Sequence, residues 1–162
     1  MIIQSFAPIA DLDANVLILG SMPGVASLAA NQYYAHPRNA FWPIMGHVFE
    51  AGWDKSYADR TSILKANGIA VWDVLKLCRR EGSLDTNIKA EVANDFATFF
   101  STHRNVRRIV LNGGKAAKSF EKYARQHAPE TALVSPVPST SPAYAAMRFE
   151  TKCALWHAAL VG

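Results

Sequence analysis

Four short apolar runs constrain the fold of this chain more than any other feature: Val16-Leu17-Ile18-Leu19, Ile69-Ala70-Val71-Trp72, Arg108-Ile109-Val110-Leu111 and Ala132-Leu133-Val134. Each is rich in β-branched or bulky side chains, lacks polar alternation and stops at a turn former. A strand with one face in water alternates apolar and polar positions, so unbroken runs predict strands covered on both faces. Helical spacing fills the intervals, roughly over Ala40 to Glu50, Lys89 to Ser101, Lys115 to His127 and Arg148 to Val161. The second of these follows Asp85-Thr86-Asn87 and carries Glu91 and Asp95 early, where acids favour a helix start. The third follows Asn112-Gly113-Gly114. Strand and helix thus alternate along the chain, which predicts an α/β fold: a three-layer α/β/α sandwich around a small, mainly parallel four-stranded sheet.

The 162 residues are half hydrophobic and 19% charged, enough for one core, so a single domain over residues 1–162 is expected, and disorder and a stapled mini-fold are excluded. Cys78 and Cys153 stand far apart with no Cys-x-x-Cys or Cys/His spacing, so neither structural zinc nor an iron–sulfur cluster is expected, and no metal or cofactor is. No apolar run approaches the ~20 residues that span a bilayer, and the first residues lack a basic stretch followed by a long apolar one. A soluble protein of a reducing compartment, with no membrane partner, is expected. The net charge of +4 is modest but uneven. Residues 1–50 hold one basic side chain, Arg38, whereas Arg104 to Arg125 holds seven with a single acid, Glu121.

Two segments carry too many turn residues for this alternation, Gly20 to Arg38 and Ser135 to Tyr144. Each follows a predicted strand, and in open parallel sheets ligands bind beyond the carboxyl ends of the strands. In the first, Gly20-Ser21-Met22-Pro23-Gly24 lets backbone amides approach a ligand closely, and Tyr33 and Tyr34 supply flat faces suited to a planar heterocycle. An ordinary strand-to-helix loop with its aromatics folded onto the core would use the same residues. Asn39 stands where a helix should begin and would serve equally as a plain N-cap, and His36, before Pro37, as a turn histidine. In the second segment three prolines stiffen the chain around the hydroxyls of Ser139, Thr140 and Ser141, which could bond phosphate oxygens or belong to a plain surface loop.

Other features are less telling. Lys115, Lys118, Lys122 and Arg125 form a helical stripe that could follow a nucleic acid backbone; the solvated face of an amphipathic helix is the commoner meaning. Asp73 and Asp85 could be catalytic carboxylates, or N-cap and turn aspartates, which is the commoner use. A Gly-x-Ser-x-Gly elbow, a phosphate-binding Gly-x-x-x-x-Gly-Lys-Ser/Thr loop and a His-Glu-x-x-His helix are all missing.

Taken together, Gly20-x-x-Pro23-Gly24 followed by Ala35-His36-Pro37-x-Asn39-x-Phe41-Trp42 is similar to the first motif of the mismatch-specific enzymes in the uracil-DNA glycosylase superfamily. Gly-Ser-Met-Pro-Gly with Pro138-Ser139-Thr140-Ser141-Pro142-Ala143 resembles its hypoxanthine-DNA (deoxyinosine) glycosylase branch, as do Gly68-Ile69-Ala70-Val71-Trp72-Asp73-Val74 and Gly82-Ser83-Leu84-Asp85. The resemblance spans nearly the whole chain. It departs from the wider superfamily at Met22, where mismatch-specific enzymes carry a water-positioning asparagine, and in the absence of a histidine from Ser135 to Pro142. Weak or missing uracil excision is therefore expected.

The resemblance implies a monofunctional enzyme that hydrolyses the N-glycosidic bond of hypoxanthine in DNA and leaves an abasic site, with Asn39 as the catalytic residue. It implies a base pocket of Ser21, Met22, Pro23, Gly24, Tyr34 and His36, with Tyr34 stacked on a base turned out of the helix. Ser139, Thr140 and Ser141 would hold flanking phosphates, with Ala143 and Tyr144 near the gap. The expected partner is single- or double-stranded DNA bearing a deaminated base, met by a cytoplasmic, nucleoid-associated monomer. Uracil or xanthine as substrate, a non-catalytic damage-binding module, and a small enzyme of free nucleotides or nucleosides are the alternatives.

Overall fold

The structure, a computed structural model, describes residues 2–162; residue 1, with which the expected domain opens, lies outside the described residues. In chain order the elements are β1 (Ile2–Gln4), β2 (Val16–Gly20), α1 (Val25–Ala30), α2 (Phe41–Phe49), α3 (Tyr57–Ala66), β3 (Ile69–Asp73), β4 (Leu75–Arg79), β5 (Lys89–Ala93), α4 (Phe96–Thr102), β6 (Arg108–Asn112), α5 (Gly114–Ser119), β7 (Leu133–Val137) and α6 (Phe149–Val161).

The four apolar runs become β2, β3, β6 and β7, which pair in parallel in the order β3-β2-β6-β7. Their lack of polar alternation now has its reason. Val16, Ile18, Val71 and Val110 enter one core with Phe41, Trp42 and Ile44 of α2 and Trp156 of α6. Leu17, Leu19, Ala70, Trp72, Ile109 and Leu111 enter a second core on the opposite face, with Phe96, Phe99 and Phe100 of α4 and Phe120 beyond α5. β2, β3 and β6 are covered on both sides, as the three-layer reading requires, while the edge strand β7 is fully buried only at Val137. Pro136 is tolerated because β7 lies at the sheet edge.

From β2 the chain first adds β3 on one side and later β6 on the other. The crevice at the carboxyl ends of β2 and β6 is therefore a topological switch point, where such sheets bind ligands.

Two expectations need correction. The segment Lys89 to Ser101 is not one helix: its first part is β5, and the helix starts only at Phe96, capped by the Asp95 side chain, which accepts the Thr98 N–H. β5 also completes a second, antiparallel sheet in the order β1-β4-β5, which the apolar runs did not announce. The other helical intervals hold, although Lys115 to His127 is divided into α5, a π-turn over Phe120–Ala124 and a 3₁₀ turn over Arg125–His127.

Candidate active site

The site is assembled from the ends of the parallel strands. β2 ends at Gly20, paired in register with Asp73 at the end of β3. A Cβ on Gly20 would lie 2.6 Å from Asp73 Oδ1 and 2.9 Å from the Tyr34 hydroxyl, so a bare backbone is required where those two groups converge.

Beyond Gly20 the first loop is fastened to the chain that follows β3. The Gly20 and Ser21 carbonyls accept the N–H groups of Val74 and Leu75 at 2.8 and 3.2 Å. Arg80, buried, donates to the carbonyls of Pro23 and Gly82. Ser83 Oγ accepts the Val25 N–H at 2.8 Å, and the Ser21 hydroxyl donates to Asp85 Oδ1 at 2.7 Å. The stretch Ser83 to Thr86 thereby becomes a wall of the pocket.

Tyr34 occupies a left-handed backbone conformation, φ 55°, which a bulky residue adopts only where its surroundings enforce it. The enforcement is visible on both sides. The Tyr33 carbonyl accepts the Trp42 indole N–H at 2.9 Å, and the Tyr34 ring stacks on Phe41 with centroids 4.0 Å apart and planes 20° from parallel. Its hydroxyl accepts from Asn112 Nδ2 at 3.2 Å. Asn39 lies one residue before the cap position of α2, which is Ala40, and its Oδ1 accepts the Phe41 N–H at 2.9 Å. His36 Nδ1 accepts the Arg38 N–H at 3.0 Å.

The second loop is tied to the first. The Thr140 carbonyl accepts the Ala40 N–H at 2.9 Å. Asn112, at the end of β6, donates to Thr140 Oγ1 and accepts the Thr140 N–H, both at 3.0 Å. Gly113 turns at φ +92°, and a Cβ there would lie 3.0 Å from that of Ser139, so β6 and the second loop can pack this closely only over a glycine. Lys152 of α6, 3% exposed, donates to the carbonyls of Ser139 and Tyr144 at 2.8 and 3.0 Å. The Ser141 hydroxyl oxygen accepts the Ala143 N–H at 3.2 Å and opens a 3₁₀ turn that leaves Tyr144 exposed.

These loops enclose a cavity of about 330 Å³, and every residue expected at the site lines it: Ser21, Met22, Pro23, Gly24, Tyr34, His36, Asn39, Ser139, Thr140, Ser141, Ala143 and Tyr144. Thr140 is 2% exposed and bonded to Asn112 through both its amide and its hydroxyl oxygen, so it anchors the loop. Met22 is buried in the second core while bordering the cavity. Gly20, Asp73 and Asp85, which the sequence offers as a ligand-approaching turn and as possible carboxylates, also line it, as do Ser83, Leu84, Thr86 and Asn112. The available signal was position: Gly20, Asp73 and Asn112 each close a predicted parallel strand.

Burial lifts the Asp73 carboxyl to about 7, helped by the charge of Asp85 and opposed by Arg80. Burial likewise raises the Tyr34 phenol and lowers the Lys152 ammonium. Three of the four stripe cations face carboxylates: Lys115 and Lys122 lie 2.7 and 3.8 Å from Glu91 of β5, and Arg125 lies 2.6 Å from Glu121. No helix among the described residues is long and apolar enough to cross a membrane.

A parallel sheet with a deep pocket at its switch point, walled by the loop pair above, defines a known class. The chain belongs to the uracil DNA glycosylase superfamily, whose family model matches residues 7–160. It is 37% identical over 132 residues to the hypoxanthine DNA glycosylase of Methanosarcina barkeri, covering 81% of this chain and 83% of that protein. It is 38% identical over 142 residues to the hypoxanthine DNA glycosylase of Methanosarcina acetivorans, covering 87% of each. Among solved structures it is similar to the solution NMR structure of a candidate uracil DNA glycosylase from Methanosarcina acetivorans, with a TM-score of 0.83 and 33% identity, over 99% of this chain and 97% of that one.

Proposed function

We propose that this chain is a monofunctional DNA glycosylase that hydrolyses the N-glycosidic bond of deaminated bases, hypoxanthine foremost, and leaves an abasic site. The observation that carries the reading is the convergence of Asn39 and Tyr34 on one cavity at the carboxyl ends of β2 and β6. The curated relatives named hypoxanthine DNA glycosylase support the choice of base.

The nucleotide leaves the stack at a cost of a few kcal/mol, least where pairing is already damaged. Its base lies against the face of Tyr34 opposite Phe41, which holds the ring in place. Base–aromatic stacking of this kind contributes about 1–3 kcal/mol. As the bond from C1′ to N9 breaks, its electron pair passes to the purine and an oxocarbenium-like sugar forms. Water then adds hydroxide to C1′, and its proton goes to the departing base.

Asn39 acts as a donor in this step. Its Oδ1 is engaged by the Phe41 N–H, which leaves the Nδ2 hydrogens as the free polar group to meet the charge growing on the purine. One preorganised donor of this kind contributes about 10²–10³ in rate. Lys152, its ammonium bound to two carbonyls, is held as a structural cation, which favours hydrolysis over a Schiff base. Met22 offers nothing to orient water in the manner of the mismatch-specific enzymes, so uracil is a poor substrate. Ser139 and Ser141 face the backbone of the DNA, single- or double-stranded, with Ala143 and Tyr144 beside the gap left by the base. The protein works as a monomer in the cytoplasm, on the nucleoid.

Incubation with duplexes containing deoxyinosine, deoxyxanthosine or deoxyuridine, followed by alkali, tests this. Alkali-labile sites are expected at deoxyinosine first. Asn39→Ala should lower excision at least 10²-fold while still binding the duplex. Retention of lesion DNA with no alkali-labile product would make the chain a binding module instead.

A further inference from the structure

Tyr34 follows a residue whose two backbone groups are both gripped by side chains from behind the cavity. Tyr33, 4% exposed, gives its N–H to the Tyr57 hydroxyl at 3.0 Å, and its carbonyl accepts the Trp42 indole N–H at 2.9 Å. Its own hydroxyl donates to the Ala7 carbonyl at 2.8 Å. Tyr33 is thereby pinned through N–H, carbonyl and side chain, and the direction in which the chain enters Tyr34 is set. Under that constraint a bulky residue keeps a left-handed φ of 55° instead of relaxing.

The two gripping rings are themselves held by Arg60. Tyr57 and Arg60 stand three residues apart on α3, a spacing that puts them on one face of the helix. The Arg60 guanidinium, 5% exposed, lies 4.5 Å from the centre of the Trp42 ring, 5.4 Å from that of Tyr57 and 4.7 Å from that of Trp53. Its Nε donates to the Lys55 carbonyl at 3.1 Å, whereas Nη1 is buried with no hydrogen-bond partner among the described residues. Aromatic faces attract a guanidinium, most strongly where water is excluded, so the three rings serve where a carboxylate otherwise would. Trp42 and Tyr57 meet edge to face, with centroids 5.9 Å apart and planes at 83°. One buried cation thus fixes both rings whose polar atoms hold Tyr33.

We propose that Tyr57 and Arg60 are positioning residues for capture of the flipped base: acting through Tyr33, they hold the Tyr34 ring in the orientation that stacks on that base. The inference rests on the functional reading above and adds two residues of α3, neither of which lines the cavity. With the Tyr57 hydroxyl removed, the buried Tyr33 N–H loses its acceptor and the left-handed turn loses one of the bonds that keep it from relaxing. The Tyr34 ring then leaves its place against Phe41 for part of the time, and an extruded base meets no flat face. Extrusion follows encounter with the duplex, so the loss falls on the rate at saturating enzyme and not on affinity for undamaged DNA.

The test measures single-turnover excision from a deoxyinosine duplex at saturating enzyme, affinity for the undamaged duplex, and thermal unfolding. The wild-type protein is compared with Tyr57→Phe, Arg60→Met, Tyr34→Leu and the double variant Tyr34→Leu/Tyr57→Phe. Removing the Tyr34 ring should lower the saturating rate about 5- to 100-fold, the stacking contribution of one base expressed as a ratio of rates. Tyr57→Phe and Arg60→Met should each lower it at least ~3-fold within that ceiling, with affinity for undamaged DNA unchanged. In the Tyr34→Leu background Tyr57→Phe should lower the rate no further, because the two residues act as one unit. Phe100→Leu, in the core on the other face of the sheet, supplies a variant of lowered stability that should excise at the wild-type rate well below its melting temperature. A wild-type rate in Tyr57→Phe overturns the proposal, and this result decides the matter should the Tyr34 variants not fold. Equal losses from Tyr57→Phe with and without the Tyr34 ring overturn it too, as does an equal fall in Phe100→Leu, which would mark the loss as one of stability alone. A wild-type protein that excises no base overturns the functional reading and this inference with it; an active wild type with an indifferent Tyr57→Phe overturns this inference alone.

Discussion

Asn112 and Thr140 bond to one another in both directions, the amide Nδ2 donating to the hydroxyl and the Thr140 N–H donating to Oδ1, each at 3.0 Å. The same Nδ2 reaches the Tyr34 hydroxyl. One side chain at the end of β6 thus joins the second loop to the aromatic of the first. Asn112→Ala should leave the buried Thr140 N–H unpaired and cost about 1–3 kcal/mol of stability. Urea unfolding would measure that loss, and the KM for deoxyinosine DNA should rise because both loops lose their common anchor.

Gly20→Ala introduces a methyl into the space held by Asp73 Oδ1 and the Tyr34 hydroxyl. Overpacking of this kind costs about 1–3 kcal/mol. Excision should fall more than stability does, because the displaced groups are those at the cavity. Paired thermal melts and single-turnover rates would separate the two effects.

Lys152→Met keeps the apolar stem and removes the donor from two carbonyls of the second loop. A rise in the KM for DNA larger than the change in kcat is expected, since the loop loses its brace while Asn39 keeps its place. Borohydride treatment of the wild-type reaction should trap no covalent complex with DNA, because this ammonium is already engaged.

The raised pKa of Asp73 makes folding pH-dependent. The folded protein holds this proton between the ordinary aspartate range and about 7, where the unfolded chain has released it. The stability tied to that proton is therefore complete below about pH 4 and is lost as pH rises through 7. Relative to Asp73→Asn, the wild-type protein should weaken by up to a few kcal/mol between pH 5 and pH 8. Denaturant midpoints at several pH values would show it; parallel curves for the two proteins would contradict it.

The parts of the molecule that could be read in advance are those whose residues answer to a single strong demand. Val16 to Leu19 must be apolar at every position because both faces of β2 are covered, and that demand is written in the run itself. β5 answers to none: Lys89 to Ala93 is largely exposed along an antiparallel pairing, so its composition passes for the first turns of a helix, and Asp95, the true cap, reads there as one of the acids near a helix start set six residues earlier. At the site, the crowded turn residues marked both loops. Asp73 and Asp85 stayed ambiguous because an aspartate after a strand is most often a turn residue, and what sets Asp73 apart, burial without a partner, arises only when Gly20 is brought against it. Asn112 escaped for a similar reason, its partners being 28 and 78 residues away.

Gly20, Asp73, Asn112 and Val137 are the last residues of the four parallel strands, and the walls of the cavity hang from them. No contiguous fragment shorter than most of the chain contains them all. Enzymatic turnover in this protein is therefore a reporter of global folding: a truncated or partly melted chain, even one that keeps either loop intact, has no half-built version of the catalytic centre to fall back on.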